Sequence, residues 1–363
     1  MVLLGAFCVR KGTKYKIFVY LYYNISALLF FYFLYYWNTS FSGVWDNNRQ
    51  FYFGLFLSWL VFISSMGIYV LIELIVRLLC IPFRIKKEHK IPSRRRFISL
   101  IGMGIASIPF MGMLYGMFKG KYDFRVIKYT LFFDNLPEIF DGYRIIHISD
   151  IHSGSFDNPE KVQYGIDMIN AQEGDAIFFT GDLVNNKATE MDEWINHFKQ
   201  LKAKDGIYSV LGNHDYGDYV QWNTPEEKEK NLEDLKKIHH KIGFYLLNNE
   251  SVYISRNGYR LAVIGVENWG RDFIKRGDLD EAIKGVPEND FKILLSHDPT
   301  YFEYKVINYP VYIPLTLSGH THGMQFGIEI PGFIKWSPAS WKYKYWGGIY
   351  KVKNKFINVN RGI

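Results

Sequence analysis

The chain has 363 residues, 48% hydrophobic and 18% aromatic, and a formal net charge of +7, which is too long for one small domain when about 150 residues is a usual domain size. The charge is lopsided: residues 1–96 hold 13 Lys and Arg against 3 Asp and Glu, whereas the remainder holds 30 against 33, so a polyanion-binding face and a nucleic-acid partner are disfavoured for the larger part. The only cysteines, Cys8 and Cys80, lie in the first third, which excludes a disulfide or a cysteine-based zinc site further on.

Three apolar runs are long enough to cross a bilayer, since about 20 helical residues span the roughly 30 Å hydrocarbon layer. They cover about 17–37, 51–72 and 97–118, and together predict a multi-pass membrane segment over residues 1–121. Basic residues gather on cytoplasmic flanks. Arg10, Lys11, Lys14 and Lys16 precede the first run, and Arg84, Lys86, Lys87, Lys90 and Arg94 to Arg96 separate the second from the third. The connection from Asn38 to Gln50 is neutral. Everything after the third run is therefore expected on the extracytoplasmic side of the cell (inner) membrane, with the lipid bilayer as a permanent partner. Ser93-Arg94-Arg95-Arg96-Phe97-Ile98 is similar to a twin-arginine export signal and makes the twin-arginine translocase a second expected partner.

Residues 122–363 read as a separate domain. Strands are predicted over 144–149, 176–180, 207–211, 260–266, 292–296 and 311–318, and helices over 159–172, 188–202, 225–241 and 279–284. Thr224-Pro225-Glu226-Glu227 opens the third helix with a capping residue, a proline at the first helical position and acids at the positive dipole end. Strands alternating with helices argue for an α/β fold.

Almost every predicted strand runs into a short polar cluster. The first gives Asp150 and His152, the second Gly181-Asp182, and the third Gly212-Asn213-His214-Asp215. Two later ones give Ser296-His297-Asp298 and Gly319-His320-Thr321-His322. Ligands in α/β sheets collect beyond the carboxyl ends of strands. Carboxylate, imidazole and amide oxygen together suit two divalent cations (Mn, Zn or Fe) that share a bridging carboxylate. Alternation along extended backbone would turn both members of Asp150-x-His152, and both of His320-x-His322, to one side. Gly181, Gly212 and Gly319 stand where a strand must turn sharply.

With these motifs in this order, the chain resembles the calcineurin-like metallophosphoesterases, in particular their membrane-anchored bacterial branch, over roughly residues 140–363. The resemblance implies a four-layer αββα sandwich of two mixed sheets. It implies one cation on Asp150, His152, Asp182 and His322, and another on Asp182, Asn213, His297 and His320. His214 matches the family histidine that meets the substrate phosphate without binding metal, and Asp215 is expected to orient it by a hydrogen bond. Two departures from the branch's pattern, Asn268 where an Asp is common and Met324 where a glycine is common, bear on substrate selection.

The expected activity is hydrolysis of a phosphomonoester, phosphodiester or pyrophosphate bond by a metal-bridging hydroxide, on a lipid-linked or envelope substrate that tethering concentrates. Relatives that cleave UDP-2,3-diacylglucosamine extend this to a nucleotide-linked glycolipid, ranked lower because the domain is expected outside the cytoplasm. A nuclease of the same fold is disfavoured by the charge balance. A non-catalytic metal-dependent scaffold is disfavoured by His214, which a binder does not need. Lys335-Trp336 and the run Trp341 to Trp346 interleave bases with aromatics and suit either lipid headgroups or an exposed hairpin.

Overall fold

The computed structural model describes residues 1–13, 15–39, 47–79, 92–325, 327–330 and 333–363. Lys14, Cys80 and the basic run from Arg84 to Lys90 lie outside the described residues, as do the side chains of Arg94 and Arg95. The chain divides into two compact units, Met1–Asp123 and Phe124–Ile363.

The first unit is helical: α1 (Val2–Gly12), α2 (Lys16–Thr39), α3 (Asn47–Leu79) and α4 (Pro92–Phe118). Three stretches are long and apolar enough to cross a membrane, Lys16–Tyr35, Phe51–Val76 and Arg96–Phe118. The sequence reading did not anticipate α1. At about 1.5 Å per residue it is too short to span hydrocarbon, and polar contacts fasten it to its neighbours. Tyr22 donates to Val2 O at 3.0 Å, and Arg96 Nε donates to Gly12 O at 3.2 Å. Trp59 to Ser26 Oγ (2.9 Å) and Tyr69 to Ile98 O (2.7 Å) tie the long helices together, where lipid supplies no water to compete.

The second unit holds two principal sheets. One is wholly parallel, in the order β1 (Ile145–Ile148), β2 (Ala176–Phe179), β3 (Ile207–Ser209), β4 (Tyr245–Leu246). The other carries the mixture of directions. Its strands are β5 (Glu250–Arg256), β6 (Tyr259–Gly265), β7 (Phe291–Leu295), β8 (Leu315–Ser318), β11 (Gly348–Val352) and β12 (Lys355–Val359), in the order β11-β12-β8-β7-β6-β5. β6, β7, β8 and β12 run parallel, with an antiparallel strand at each margin. β9 (Ile328–Ile330) and β10 (Ile334–Trp336) form a separate hairpin.

Side-chain alternation makes the layers. Ala176 and Phe178 of β2 enter one core with Leu261, Val263, Ile293, Leu295, Leu315 and Leu317 of the second sheet, so the sheets face each other. The alternate residues Ile264, Leu294 and Ile357 enter another core with Leu279, Phe302 and Val306. Those belong to α8 (Leu279–Ala282) and the π-helical turn Phe302–Val306. Helices α5 (Pro159–Asn170), α6 (Ile195–Phe198) and α7 (Pro225–Lys241) go with the first sheet. His239 of α7 packs on Phe179 at 6.0 Å and bonds Ser209 Oγ at 2.9 Å. The result is helix, sheet, sheet, helix, as the resemblance implied.

Two predicted elements differ. The helix expected over 188–202 is a 3-10 turn at Ala188–Met191 followed by the four residues of α6. The Glu190 carboxylate accepts the backbone N–H groups of Asn185, Asn186 and Lys187, which caps the start of this turn and holds the loop before it. The expected strand over 311–318 starts only at Leu315, beyond Pro310 and Pro314.

Candidate metal centre

The parallel strands β1, β2, β3, β7 and β8 end at one edge of the layers, and the five polar clusters follow those ends. Asp150, His152, Asp182 and His322 offer donor atoms within 4.8 Å of one another, and so do Asp182, His297 and His320. Asp182 belongs to both groups. Asn213 joins the second, its Oδ1 lying 3.1 Å from His297 Nε2.

These side chains do not converge by strand alternation, as the sequence had suggested. Asp150, His152, Asp182, His320 and His322 all have left-handed backbone, with φ from 47° to 73°. Non-glycine residues rarely adopt this conformation, and each such turn swings a donor inward where extended backbone would carry it past. Gly212 and Gly319 permit the close approach: a Cβ on the first would strike Asp182, and on the second Ser149 and Asp150.

Hydrogen bonds to the outer atom of each donor determine what faces inward. His152 Nδ1 meets Asn185 Oδ1 at 3.1 Å and His297 Nδ1 meets Thr180 O at 2.7 Å. Both partners only accept, so each Nδ1 carries the hydrogen and each Nε2 presents a lone pair. For His320, Tyr343 Oη at 2.8 Å and Asp298 Oδ2 at 3.4 Å engage Nε2 and leave Nδ1 inward. Asn213 Nδ2 donates to Tyr219 Oη at 2.8 Å, which turns the amide oxygen in.

Acceptors therefore point at acceptors. His152 Nε2 lies 3.1 Å from His322 Nε2 and 3.5 Å from Asp182 Oδ2, and His297 Nε2 lies 3.1 Å from Asp182 Oδ2 and 3.3 Å from His320 Nδ1. Such a set is stable only around positive charge. The Asp182 carboxylate draws positive charge to this spot: burial opposes charge on His297, but Asp182 outweighs it and drives the imidazole up to about 10, so a proton on Nε2 takes the line to Asp182 Oδ2 that a cation would otherwise occupy. Burial also opposes ionisation of Asp182, yet His297, His214 and His152 hold it well below the usual carboxylate range. Burial pushes His152 down to about 4 and His320 well below the ordinary histidine value. The donors thus fit divalent cations.

The predicted role of Asp215 is corrected. Its carboxylate does not reach His214. It accepts the backbone N–H groups of Asp182 (2.9 Å), Leu183 (2.8 Å), Val184 (3.3 Å) and Gly212 (2.8 Å), pinning the turn that carries Asp182. The partner of His214 is Asn185, whose carbonyl accepts from Nδ1 at 2.8 Å. The His214 ring packs on Tyr219 at 4.4 Å and on His152 at 4.8 Å, beside the donors. Of the two departures, Asn268 is fully buried and its carboxamide makes no hydrogen bond among the described residues. The side chain of Met324 lies outside them.

A chain of hydrogen bonds reaches Asp150 from the far sheet. Asn358 Nδ2 on β12 lies 2.8 Å from His147 Nδ1, and His147 Nε2 lies 2.9 Å from Thr180 Oγ1. An amide nitrogen only donates, so Nδ1 accepts and Nε2–H points at Thr180. Thr180 then donates to Ser149 Oγ at 2.9 Å, and Ser149 donates to Asp150 Oδ2. Asp150 Oδ1 remains inward, 3.2 Å from His322 Nε2. The sequence had given His147 no role. Nor had it given a role to Asn185, to Asp298, named only within Ser296-His297-Asp298, or to Tyr343, named only within the run from Trp341 to Trp346.

Comparison with known proteins agrees with this architecture. The family model described as "Calcineurin-like phosphoesterase" matches residues 143–324, and one described as "Probable Calcineurin-like phosphoesterase, transmembrane domain" matches residues 2–121. The chain belongs to the calcineurin-like phosphoesterases, in a form joined to a transmembrane domain. It is similar to the uncharacterized metallophosphoesterase YkuE of Bacillus subtilis, with 29% identity over 75% of this chain and 90% of that one. An uncharacterized metallophosphoesterase of Aquifex aeolicus is 31% identical over 59% of this chain and 76% of its own length. The UDP-2,3-diacylglucosamine pyrophosphatase LpxG of Chlamydia muridarum is 27% identical over 58% and 73% respectively.

Proposed function

We propose that this membrane protein hydrolyses a phosphoester or phosphoanhydride bond of an amphiphilic, lipid-linked substrate, using two divalent cations. The carrying observation is the pair of donor groups sharing Asp182, with inward lone pairs fixed by outer hydrogen bonds and His214 beside them as a non-donor. One cation would rest on Asp150, His152, Asp182 and His322, the other on Asp182, Asn213, His297 and His320. Bound there, divalent cations supply charge for the phosphoryl oxygens and acidify the attacking water.

The chain's own residues supply the rest. His214, held through Nδ1 by Asn185 O, presents Nε2 to the phosphoryl group or to the departing oxygen, where it donates a hydrogen bond or a proton. Tyr219 orients Asn213 and flanks His214, joining a donor to the substrate edge. A lipid-linked substrate is favoured because the catalytic unit and an apolar helical unit share one chain, and because LpxG, by its name, acts on a diacylated glycolipid nucleotide. The excess of basic residues before the third span favours an extracytoplasmic catalytic unit in the inner membrane, delivered with or without the twin-arginine translocase.

Full-length protein in detergent or nanodiscs, reconstituted with manganese, is assayed on p-nitrophenyl phosphate, its bis-ester and a panel of lipid phosphoesters, with metal content measured by elemental analysis. The reading expects two metal equivalents per chain and turnover of at least one lipid phosphoester above the soluble reporters. Protein that takes up no metal, or binds it without any turnover, refutes it.

A further inference from the structure

The stretch from Phe333 to Trp346 contains three lysines, seven apolar or aromatic large side chains and no acid. In it, side chains with opposite preferences are sorted onto opposite sides. Tyr343, Tyr345 and Trp346 are buried, whereas Lys342 and Lys344, on either side of Tyr343, are exposed. The buried side reaches the metal centre: Tyr343 Oη lies 2.8 Å from His320 Nε2, and Thr321 Oγ1 donates to Trp346 O at 2.6 Å. The outer side carries two large apolar groups in the open, Phe333 at 82% and Trp341 at 79% exposure.

Phe333 stands in the turn of the β9–β10 hairpin, a position that Gly, Asn, Asp and Ser usually fill. An uncovered phenyl ring there, with an uncovered indole on the same stretch and lysines around both, has the composition of a membrane interface, where Trp and basic residues concentrate. The connection that follows the membrane unit runs past this stretch. Tyr129 Oη and Lys335 Nζ lie 3.1 and 3.3 Å from the place a Cβ would take at Gly348, and the same connection exposes Ile127 and Phe132.

We infer that residues 333–346 form a lip that docks on the bilayer in which the chain is anchored, with Phe333 and Trp341 at the interface and Lys344 on anionic headgroups, Lys342 being paired with Asp272 at 3.3 Å and Lys335 bonded to Gly347 O. Scale supports this. Trp341 is two residues from Tyr343, about 7 Å of backbone at most, so a docked indole sits on the order of 15 Å from His320. A lipid headgroup whose tails stay in the hydrocarbon can cover that distance. Docking stands independently of catalysis; only its consequence, delivery of a headgroup phosphate to the metals, rests on the proposed function.

The test uses full-length protein with Cys8→Ser and Cys80→Ser, in nanodiscs of phosphatidylcholine and phosphatidylglycerol. Single bimane labels are attached at Phe333→Cys, Trp341→Cys and, keeping both aromatics, Ser340→Cys; exposed Tyr164 on α5 gives the control Tyr164→Cys. Lipids with a doxyl group high on the acyl chain should quench the three lip labels at least about threefold more than the control, and aqueous iodide should quench them less. Equal iodide quenching at all four positions, with no doxyl effect, overturns the proposal. So do lip labels shielded from both quenchers, which would indicate a protein partner or a second copy. Absence of phosphoester hydrolysis would leave the quenching unchanged and would strike only the proposed function.

Discussion

Two neighbouring residues have different partners. The His214 imidazole is held through Nδ1 by the Asn185 carbonyl and its backbone N–H donates to Asp182 Oδ1, whereas the Asp215 carboxylate gathers four backbone N–H groups around the Asp182 turn. His214→Ala should therefore keep both metals and lose about 10²- to 10⁴-fold in turnover, the range for removing a positioned proton donor. Asp215→Asn should behave differently. Its amide sets an N–H against backbone N–H groups, which costs about 1–3 kcal/mol for each buried group left unmatched and should deplete metal as well as activity. Elemental analysis of the two variants decides: metal loss in His214→Ala would place that imidazole among the ligands, and full metal in Asp215→Asn would deny the carboxylate its structural part. The sequence reading had expected Asp215 to orient His214 by a hydrogen bond. Adjacency on a 3-10 turn, His214–Tyr216, sends successive side chains in different directions, and no local pattern reveals that the carboxylate returns to a turn more than 30 residues earlier.

At the level of elements, the strands that end in donors were legible because each is a short apolar run stopped by a polar cluster, and β2 and β7 are buried along their whole length. Helices α5 and α7 were legible from proline, capping residue and acidic first turn: Asn158 accepts from Lys161 N and Thr224 from Glu227 N. What could not be read is whatever depends on closure of the fold. The left-handed turns at the donors belong to residues whose ordinary preference is otherwise, and β12 is recognisable only by its pairing with β8, which brings Asn358 beside His147. That juxtaposition yields a second prediction. Asn358→Leu removes the donor that fixes the tautomer of His147, so Thr180 and Ser149 lose their direction and Asp150 loses a defined partner for Oδ2. Manganese affinity should fall about 10- to 100-fold, as for other partners of metal ligands, in a calorimetric titration. An unchanged affinity would mean that Ser149 holds Asp150 without help from the second sheet.

Across the catalytic unit as a whole, the two sheets are joined at the end away from the metal centre by charge. Arg256, the last residue of β5, meets Asp175 at 2.9 Å and Asp205 at 2.8 Å, the residues that lead toward β2 and β3. Tyr143 donates to Asp205 at 2.9 Å, and Arg144 N donates to Asp175 at 2.8 Å. Burial of Asp175 works against its ionisation, but the Arg144 N–H, Arg256 and Lys204 outweigh it and hold the carboxyl below its ordinary value. A carboxyl depressed in the folded state contributes its stability above the unfolded value, about 3.9, and loses it as pH falls through the folded value. Thermal unfolding of the full chain in micelles, followed by near-ultraviolet circular dichroism, should therefore show a melting temperature that drops steeply below about pH 4. Asp175→Asn should lower the neutral-pH stability by about 1–2 kcal/mol, a partly exposed network contributing less than a fully buried one, and should flatten the acid limb. If Asp175→Asn leaves the acid limb as steep as the parent's, the acid sensitivity resides elsewhere and the joint between the sheets is apolar, carried by the core around Phe178, Val263 and Leu295.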